Sequence, residues 1–226
     1  MKKKNRKTAP RRKRKKRSWE IDESTKERIL KAARKVFGEH PFHSATTRMI
    51  AHEAKVDHPL IHYYFGTKDK LFEIVAENIY NEFHEHNTKW LEGLERMSPR
   101  DGLSAYLDRL IEYGFSQPES LQLILINMVE AGNTEKLPGY KYLIQHMERT
   151  RKTFTDKFPL RSDLADLELF IHCFNNLVIT FIGARASQAK VLGLEPDSFQ
   201  YRSRVKEALM MLFLPWLEKL IYTDKS

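Results

Sequence analysis

Residues 46–71 restrict the possible fold more than any other stretch, because they contain two short helical segments separated by a very tight turn. The stretch reads TTRMIAHEAKVDHPLIHYYFGTKDKL. Thr46 and Asp57 are residue types that cap helix N-termini, and Gly66 is a residue type that ends helices. The pattern therefore predicts two short helices joined by a tight turn, followed by a longer helix that begins at Lys68.

The rest of the chain is also predicted to be helical. Apolar residues recur at intervals of three and four, and no strand-like alternation of any length is present. The first predicted helix begins at Ser24 or Thr25 and ends at Gly38, and the second begins at the Thr46 cap. The third runs from His58 to about Tyr64, and the fourth from Lys68 to beyond Trp90. The remaining helices are predicted to span 101–116, 119–131, 139–157, 162–189 and 197–222. The predicted fold class is all-α.

The positive charge of the chain is concentrated at its N-terminus. Twelve of the 39 Lys and Arg residues fall within residues 1–18, and the other 27 are outnumbered by 30 acidic residues. Residues 1–20 are predicted to form a disordered basic arm that binds nucleic acid. It could clamp phosphates nonspecifically, enter a minor groove, serve in nuclear localisation or be an unused solvated extension. Its densest run is Arg11, Arg12, Lys13, Arg14, Lys15, Lys16 and Arg17.

Several classes of protein are disfavoured by what the sequence lacks. The arm has no apolar segment of the kind found in secretory signals, and Cys173 is the single cysteine, so no internal disulfide is possible. No run reaches the roughly 18 uninterrupted apolar residues of a membrane span. We expect a cytoplasmic protein with no membrane partner. No catalytic constellation, cofactor motif or metal-ligand spacing is present, so we expect neither an enzyme nor a metal site.

The two short helices fit the geometry of a DNA-binding helix-turn-helix. In such a unit the second helix lies in the major groove and its first residues reach base edges, while helix N-termini favour phosphates. The second helix opens with His58 and Pro59, and its exposed side is expected to carry Leu60, His62 and Tyr63. These side chains can donate hydrogen bonds or pack against thymine methyl groups.

The pattern resembles the DNA-binding domain of the TetR family of bacterial one-component repressors over residues 26–75. The matching residues are Arg28, Ile29, Leu30, Ala32, Ala33, Phe37, Phe42, Thr46, Ile50, Ala51, Ala54, Val56, Ile61, Tyr63, Phe65, Lys68 and Leu71. The resemblance implies that Val56, Ile61 and Phe65 form the small core of the unit. It also implies DNA contacts from Thr46, Thr47, Arg48, His58, Pro59, Leu60, His62, Tyr63 and Lys68, of which Thr46, Arg48 and Lys68 resemble phosphate contacts.

Three positions depart from the family pattern. Lys55 stands where the family usually has a turn glycine, and a lysine in left-handed backbone would cost roughly 1–2 kcal/mol. Pro41 replaces a usual glycine after the first helix. His62 replaces a common tyrosine, so one DNA contact is expected to depend on pH.

The resemblance further implies a helix-turn-helix domain over residues 21–70 and a helical effector-binding and dimerisation domain over residues 71–226. This half of the family normally encloses a small-molecule cavity, whereas an aromatic stripe in an arbitrary helical domain is more often core. Polar residues within apolar helices could pair in the core, across a dimer or with a ligand. The candidates for the pocket of an unknown effector are Tyr106, Leu110, Tyr113, Met128, Phe154, His172, Asn175 and Asn176.

The resemblance implies a homodimer joined by the last two long helices, which carry wide apolar faces. Two-fold symmetry then predicts a palindromic operator in double-stranded DNA. An effector that favours a different spacing of the two DNA-binding domains would release the repressor. The alternative is a ligand-independent protein that uses the same fold and its basic arm for nonspecific DNA binding.

Overall fold

The computed structural model describes residues 23–130 and 137–221, and the predicted basic arm lies outside them. Within the described residues the chain is helical, with one isolated bridge between Leu160 and Ile221 in place of any strand. The helices are α1 (Glu23–Glu39), α2 (Thr47–Ala54), α3 (Pro59–Phe65), α4 (Lys68–Trp90), α5 (Pro99–Ser116), α6 (Pro118–Glu130), α7 (Tyr140–Thr155), α8 (Leu164–Val178), α9 (Arg185–Val191) and α10 (Phe199–Leu220). The all-α prediction is confirmed.

Helix α1 differs from its predicted bounds at both ends. It already includes Ser24 and Thr25, so neither residue is its N-cap. It also continues through Gly38 to Glu39. Gly38 is buried in the last turn, where a Cβ would lie 3.0 Å from the carbonyl oxygen of Glu119 on α6. The glycine therefore permits the close approach of two helices instead of ending one.

Local capping sets the bounds of α2, α3 and α4, much as predicted. The Thr46 hydroxyl accepts a hydrogen bond from the Met49 N–H at 3.2 Å, which confirms Thr46 as the N-cap of α2. Gly66 has a φ of 73° and ends α3, and the Thr67 hydroxyl then caps α4. The prediction for Asp57 is wrong: α3 begins one residue later than expected, with His58 at its cap position and no side-chain cap bond.

In the C-terminal domain, α4 packs against α5 and α7, and α10 packs against α5 and α8. Predicted helix bounds for α5, α6, α7 and α10 hold within a few residues, but the single helix predicted over 162–189 does not. A π-helical turn at Ile179–Gly183 separates α8 from α9. Gly183 lies in this turn, and a Cβ there would be 3.0 Å from the carbonyl oxygen of Leu121 on α6. Close packing against α6 thus coincides with the break in the helix.

The faces of α8 and α10 that do not pack on the core remain unusually apolar. Leu164, Leu169, Phe199, Met211 and Leu212 are each about half exposed or more. By length and composition alone, Leu164–Gly183 could cross a membrane, and a third of its most apolar window is buried within the chain. Core helices of other proteins meet the same criterion, so this stretch alone does not indicate a membrane partner.

Candidate nucleic-acid interface

The helix-turn-helix unit (residues 47–65) is anchored by the apolar sides of its two helices. Ile50 on α2 and Ile61 and Phe65 on α3 are buried in the core that α1 and the start of α4 complete. Val56, in the turn, is half-buried against the same core. The three residues that were predicted to form the small core, Val56, Ile61 and Phe65, therefore pack together there.

The opposite side of the unit is polar and aromatic. Thr46, Arg48, Pro59 and His62 are exposed, and Tyr63 is 59% exposed despite its size. Thr47, His58, Leu60 and Lys68 are half-buried. All nine predicted DNA contacts thus lie in α2, in α3, at the cap positions that precede these two helices or at the first residue of α4, and five of them are exposed. Whether they contact DNA stays a prediction.

Hydrogen bonds orient two histidines on this surface. The Thr47 hydroxyl and His58 Nε2 lie 2.9 Å apart, which links α2 to the start of α3. His62 Nδ1 lies 2.8 Å from the Gly66 carbonyl oxygen. Because a carbonyl only accepts, Nδ1 carries the proton and Nε2 is left for an outside partner. The two imidazole rings meet edge to face, with centroids 5.2 Å apart.

Lys68 points its ammonium into the domain. Its Nζ donates to the carbonyl oxygens of Phe42 at 2.7 Å and Ala45 at 3.0 Å, and lies 4.3 Å from the centroid of the Phe42 ring. The side chain therefore braces the loop between α1 and α2. Its backbone N–H, at the first position of α4, belongs to the group that lacks partners within a helix.

Two polar residues that sequence reasoning missed join α1 and its loop to the C-terminal domain. Arg34 on α1 binds both Glu82 carboxylate oxygens, at 3.0 and 2.7 Å, and also donates to Gln117 and the buried Ser120. Asn127 on α6 accepts the Phe42 N–H at 3.0 Å. Asn127 interrupts the apolar run LQLILINMV, the same signal that drew attention to Asn175 and Asn176.

The predicted effector-pocket residues do not converge on one cavity. Leu110 and Tyr113 are buried core residues of α5, and the Tyr106 hydroxyl donates to Asn87 on α4 at 2.7 Å. Phe154 packs on Phe158 near the end of α7. The side chain of Met128 lies outside the described residues.

The two asparagines of α8 are only partly buried and find partners within the chain. Asn175 Nδ2 lies 3.6 Å from the Met147 sulfur, and Asn176 Nδ2 donates to the His172 carbonyl at 2.9 Å. Of the three partners that the sequence left open for these amides, in the core, across a dimer or in a ligand, the contacts of both Nδ2 groups are with atoms of the same chain.

An aromatic and polar cluster fills the space between α4, α5 and α7. Phe83 lies at its centre and meets the rings of Trp90, Tyr113 and His146 at centroid distances of 5.3–5.9 Å. Burial lowers the pKa of His146 to about 4, and the neighbouring His84 and Arg149 act in the same direction. Burial also raises the pKa of the Tyr106 hydroxyl. The side chains of His146 and Tyr106 are therefore uncharged at neutral pH.

Two cavities are lined in part by residues of α7. The α4–α7 cavity, of about 40 Å³, lies between α4, α6 and the start of α7, and its lining includes Phe72, Tyr80 and Asn127. A groove of about 270 Å³ lies between α7 and α8. Of the seven pocket candidates with described side chains, only His172 lines either space. Within residues 23–130 and 137–221, no three His, Cys, Asp or Glu side chains are grouped as metal ligands.

The N-terminal part of the chain matches a known family model. Residues 29–75 match the model described as bacterial regulatory proteins, tetR family. The matched region spans α1 to the first turns of α4, which includes the whole helix-turn-helix unit.

Two curated relatives and one solved structure extend the comparison. The chain is 32% identical over 108 residues to the HTH-type transcriptional repressor NicS of Pseudomonas putida, covering 48% of this chain and 50% of that protein. It is 32% identical over 128 residues to the HTH-type transcriptional repressor SCO4008 of Streptomyces coelicolor, covering 56% and 61%. The chain thus matches between half and two thirds of the length of these relatives.

A TetR-like transcriptional regulator from Rhodococcus sp. RHA1 shares the fold. The TM-score is 0.57 at 19% identity, and the alignment covers 84% of this chain and 96% of the other. Similarity therefore extends beyond the N-terminal domain at the level of fold.

Proposed function

Through its N-terminal domain the chain belongs to the tetR family of bacterial regulatory proteins, and from this premise we propose that it is a transcriptional repressor that binds a palindromic operator as a homodimer. A small-molecule effector releases it from DNA. The single observation that carries the proposal is the two-sided helix-turn-helix unit. Its apolar side is anchored at Ile50, Ile61 and Phe65, and its other side exposes His62 and Tyr63 on a short helix.

Helix α3 is the element that reads bases in this proposal. Pro59, Leu60, His62 and Tyr63 reach the base edges of the major groove, with His58 at the start of the helix. His62 Nε2 is available because Nδ1 is already bonded to Gly66. The neutral ring therefore accepts a hydrogen bond at Nε2, and the protonated ring donates one.

Phosphate contacts position this helix. Thr46, Thr47 and Arg48 lie at the start of α2, where free backbone N–H groups favour an anion. At the start of α4 we assign the phosphate contact to the backbone N–H of Lys68, since its ammonium already binds two carbonyls. The basic arm adds sequence-independent affinity by neutralising further phosphates.

The exposed apolar faces of α8 and α10 support a homodimer. Leu169, Met211 and Leu212 are half exposed or more in the monomer. Contact with a second copy would remove this apolar surface from water and so stabilise a dimer. A two-fold dimer places two α3 helices side by side and demands an operator of the same symmetry.

Release by an effector rests on linkage between the C-terminal domain and the helix-turn-helix unit. A molecule that binds more tightly to the arrangement that DNA disfavours shifts the equilibrium towards that arrangement and weakens DNA binding. By linkage, DNA weakens the binding of this molecule by the same factor. Arg34 and Asn127 connect the domains directly, which supports such coupling.

Ligand-independent binding is the second candidate. It is favoured by the filled cluster around Phe83 and by the small volume of the α4–α7 cavity, which holds little more than water. In this alternative the basic arm supplies most of the affinity and sequence preference is weak.

Genome-wide footprinting of the full-length protein tests the proposal. We expect a small number of strongly protected sites that share a two-fold-symmetric sequence. Removal of residues 2–17 is expected to flatten the dependence of log affinity on log salt while leaving the preference for these sites intact. Protection spread evenly over the genome, or a preference lost with the arm, would favour the alternative.

A further inference from the structure

Phe42 occupies an unusual position between the two domains. It lies in the loop that joins α1 to α2, and it is 6% exposed. Its ring packs against Phe37 of α1, at a centroid distance of 6.2 Å, and against Phe72 of α4, at 4.9 Å. The loop that leads into the helix-turn-helix unit is thus fixed by a side chain buried among elements of both domains.

The N–H of Phe42 is held from the C-terminal domain. It donates to Asn127 Oδ1 on α6 at 3.0 Å, and Asn127 is only 3% exposed. The amide is itself oriented, because its Nδ2 donates to the Leu123 carbonyl of the same helix at 2.9 Å. Both groups of the Asn127 side chain are therefore used, and the acceptor is aimed at the loop.

The carbonyl of Phe42 is held from α4. Lys68 Nζ donates to it at 2.7 Å and reaches the Ala45 carbonyl, at 3.0 Å, with a second N–H. The N–H and the C=O of one loop residue are thus bound by side chains from two helices outside the loop.

We propose that Asn127 is a positioning residue through which the C-terminal domain controls DNA binding, by holding Phe42 and hence the loop that enters α2. This inference rests on the proposed function, since it assigns the regulation of the same DNA-binding surface. Loss of the Asn127 bond leaves a buried N–H without a partner. The ratio of the bonded loop to its open forms then falls by a factor of roughly 5 to 150.

The α4–α7 cavity links the C-terminal domain to the hydrogen bond between Asn127 and Phe42. Phe72, which packs on the Phe42 ring, and Asn127, which binds its N–H, both line the cavity. A change in the shape of the cavity therefore displaces Phe72 or Asn127, and either displacement alters the contacts of Phe42. No residue of the DNA-binding surface is needed for this effect.

The test compares two buried asparagines in the full-length protein. Asn127→Leu removes the bond to the loop. Asn87→Leu is the matched control, because Asn87 is 1% exposed and bonds to Tyr106 wholly within the C-terminal domain. Affinity is measured for the genomic fragment that footprinting protects most strongly, together with the thermal midpoint and amide hydrogen exchange of residues 40–46.

We expect both variants to lower the thermal midpoint, while only Asn127→Leu lowers DNA affinity, by about tenfold, and speeds exchange at residues 40–46. Equal effects of the two variants on affinity would overturn the proposal, as would unchanged exchange at Phe42 in Asn127→Leu. If wild-type protein protects no fragment, the proposed function fails, and the exchange measurement still decides whether Asn127 holds the loop.

A second pair of variants keeps the test valid if the leucine variants misfold. In Asn127→Ser the hydroxyl can still donate to the Leu123 carbonyl in its own helix but is too short to hold Phe42, and Asn87→Ser is its control. We again expect only the Asn127 variant to lose DNA affinity. If both serine variants fold and bind DNA equally well, the proposal is overturned.

Discussion

Lys55 ends α2 in left-handed backbone, with a φ of 54°, and is the one non-glycine residue with positive φ among the described residues. Its N–H bonds to the carbonyls of Ala51 and His52, so the conformation closes the helix. The condition set by the sequence, that Lys55 is strained if left-handed, is therefore met. The strain lies in the turn that sets the angle between α2 and α3.

Replacement of Lys55 by glycine is expected to stabilise the protein. Relief of left-handed strain is worth roughly 1–2 kcal/mol, and the greater freedom of glycine in the unfolded chain returns roughly 0.5–1 kcal/mol of it. The free energy of unfolding in urea should rise by about 0.5–1 kcal/mol. Lys55→Ala keeps the strain and serves as the control; an equal gain from alanine would contradict this explanation.

Lys68 and Arg48 are expected to affect DNA binding in different ways. Lys68→Met removes the brace on Phe42 and Ala45, so affinity should fall at every salt concentration with little change in the salt slope. Arg48→Met removes an exposed charge from α2, and the slope of log affinity against log salt should fall by about one. A reduced slope in Lys68→Met would instead mean that its ammonium contacts phosphate.

Helices α1 and α6 form the main contact between the two domains, and Gly38 controls how closely they pack. Gly38→Ala would bring a Cβ to 3.0 Å from a backbone oxygen of Glu119, which cannot move aside easily. Overpacking of this kind costs roughly 1–3 kcal/mol, against a gain of about 1 kcal/mol in helix propensity. We expect a lower thermal midpoint.

Gly102→Ala is the matched control for this contact. Gly102 lies in the first turns of α5, and a Cβ there would meet its nearest neighbours at ordinary contact distances of 3.6–3.8 Å. This variant should be neutral or slightly more stable than wild type. A stabilised Gly38→Ala would show that the two helices can separate without cost.

Helices α4 and α7 meet at His146, which makes stability depend on pH. The pKa of His146 is lowered to about 4 in the folded chain, against about 6.5 for an unperturbed histidine. The unfolded chain therefore takes up a proton between these values and the folded chain does not. Stability is complete above about pH 6.5 and is lost as pH falls towards 4.

Between pH 7 and pH 5 this histidine should account for a loss of about 2 kcal/mol in the free energy of unfolding. Burial also lowers the pKa of His84, which adds a loss of the same sign. His146→Leu should flatten the pH dependence measured by urea unfolding. An unchanged slope in that variant would show that His146 accepts a proton in the folded state.

Sequence rules predicted the elements whose causes are local. Thr46 and Thr67 cap the helices that follow them because a hydroxyl and an N–H three residues on suffice, and Gly66 ends α3 for a similarly local reason. Asn127 could not be linked to Phe42, since the two are 85 residues apart along the chain. Gly38 was predicted to end a helix because local rules consider only neighbouring residues. The residue that it packs against, Glu119 on α6, is far away along the chain.

At the scale of the whole molecule, the exposed apolar faces of α8 and α10 should join two copies of the chain. Sedimentation velocity is expected to find a dimer, and Met211→Glu, at a position 74% exposed, should yield monomers with weakened operator binding. Met97→Glu is the control, because Met97 is also exposed but lies outside α8 and α10. If the dimer persists in Met211→Glu but is lost in Met97→Glu, the interface lies outside α8 and α10.

In the proposed complex, two copies of α3 read a two-fold-symmetric DNA sequence. Selection of bound molecules from a pool of random duplex DNA by the full-length protein tests this most directly. We expect enrichment of a palindrome with half-sites roughly one helical turn or a whole multiple apart. A pool that stays random after repeated selection, or that converges on a sequence without two-fold symmetry, would contradict it.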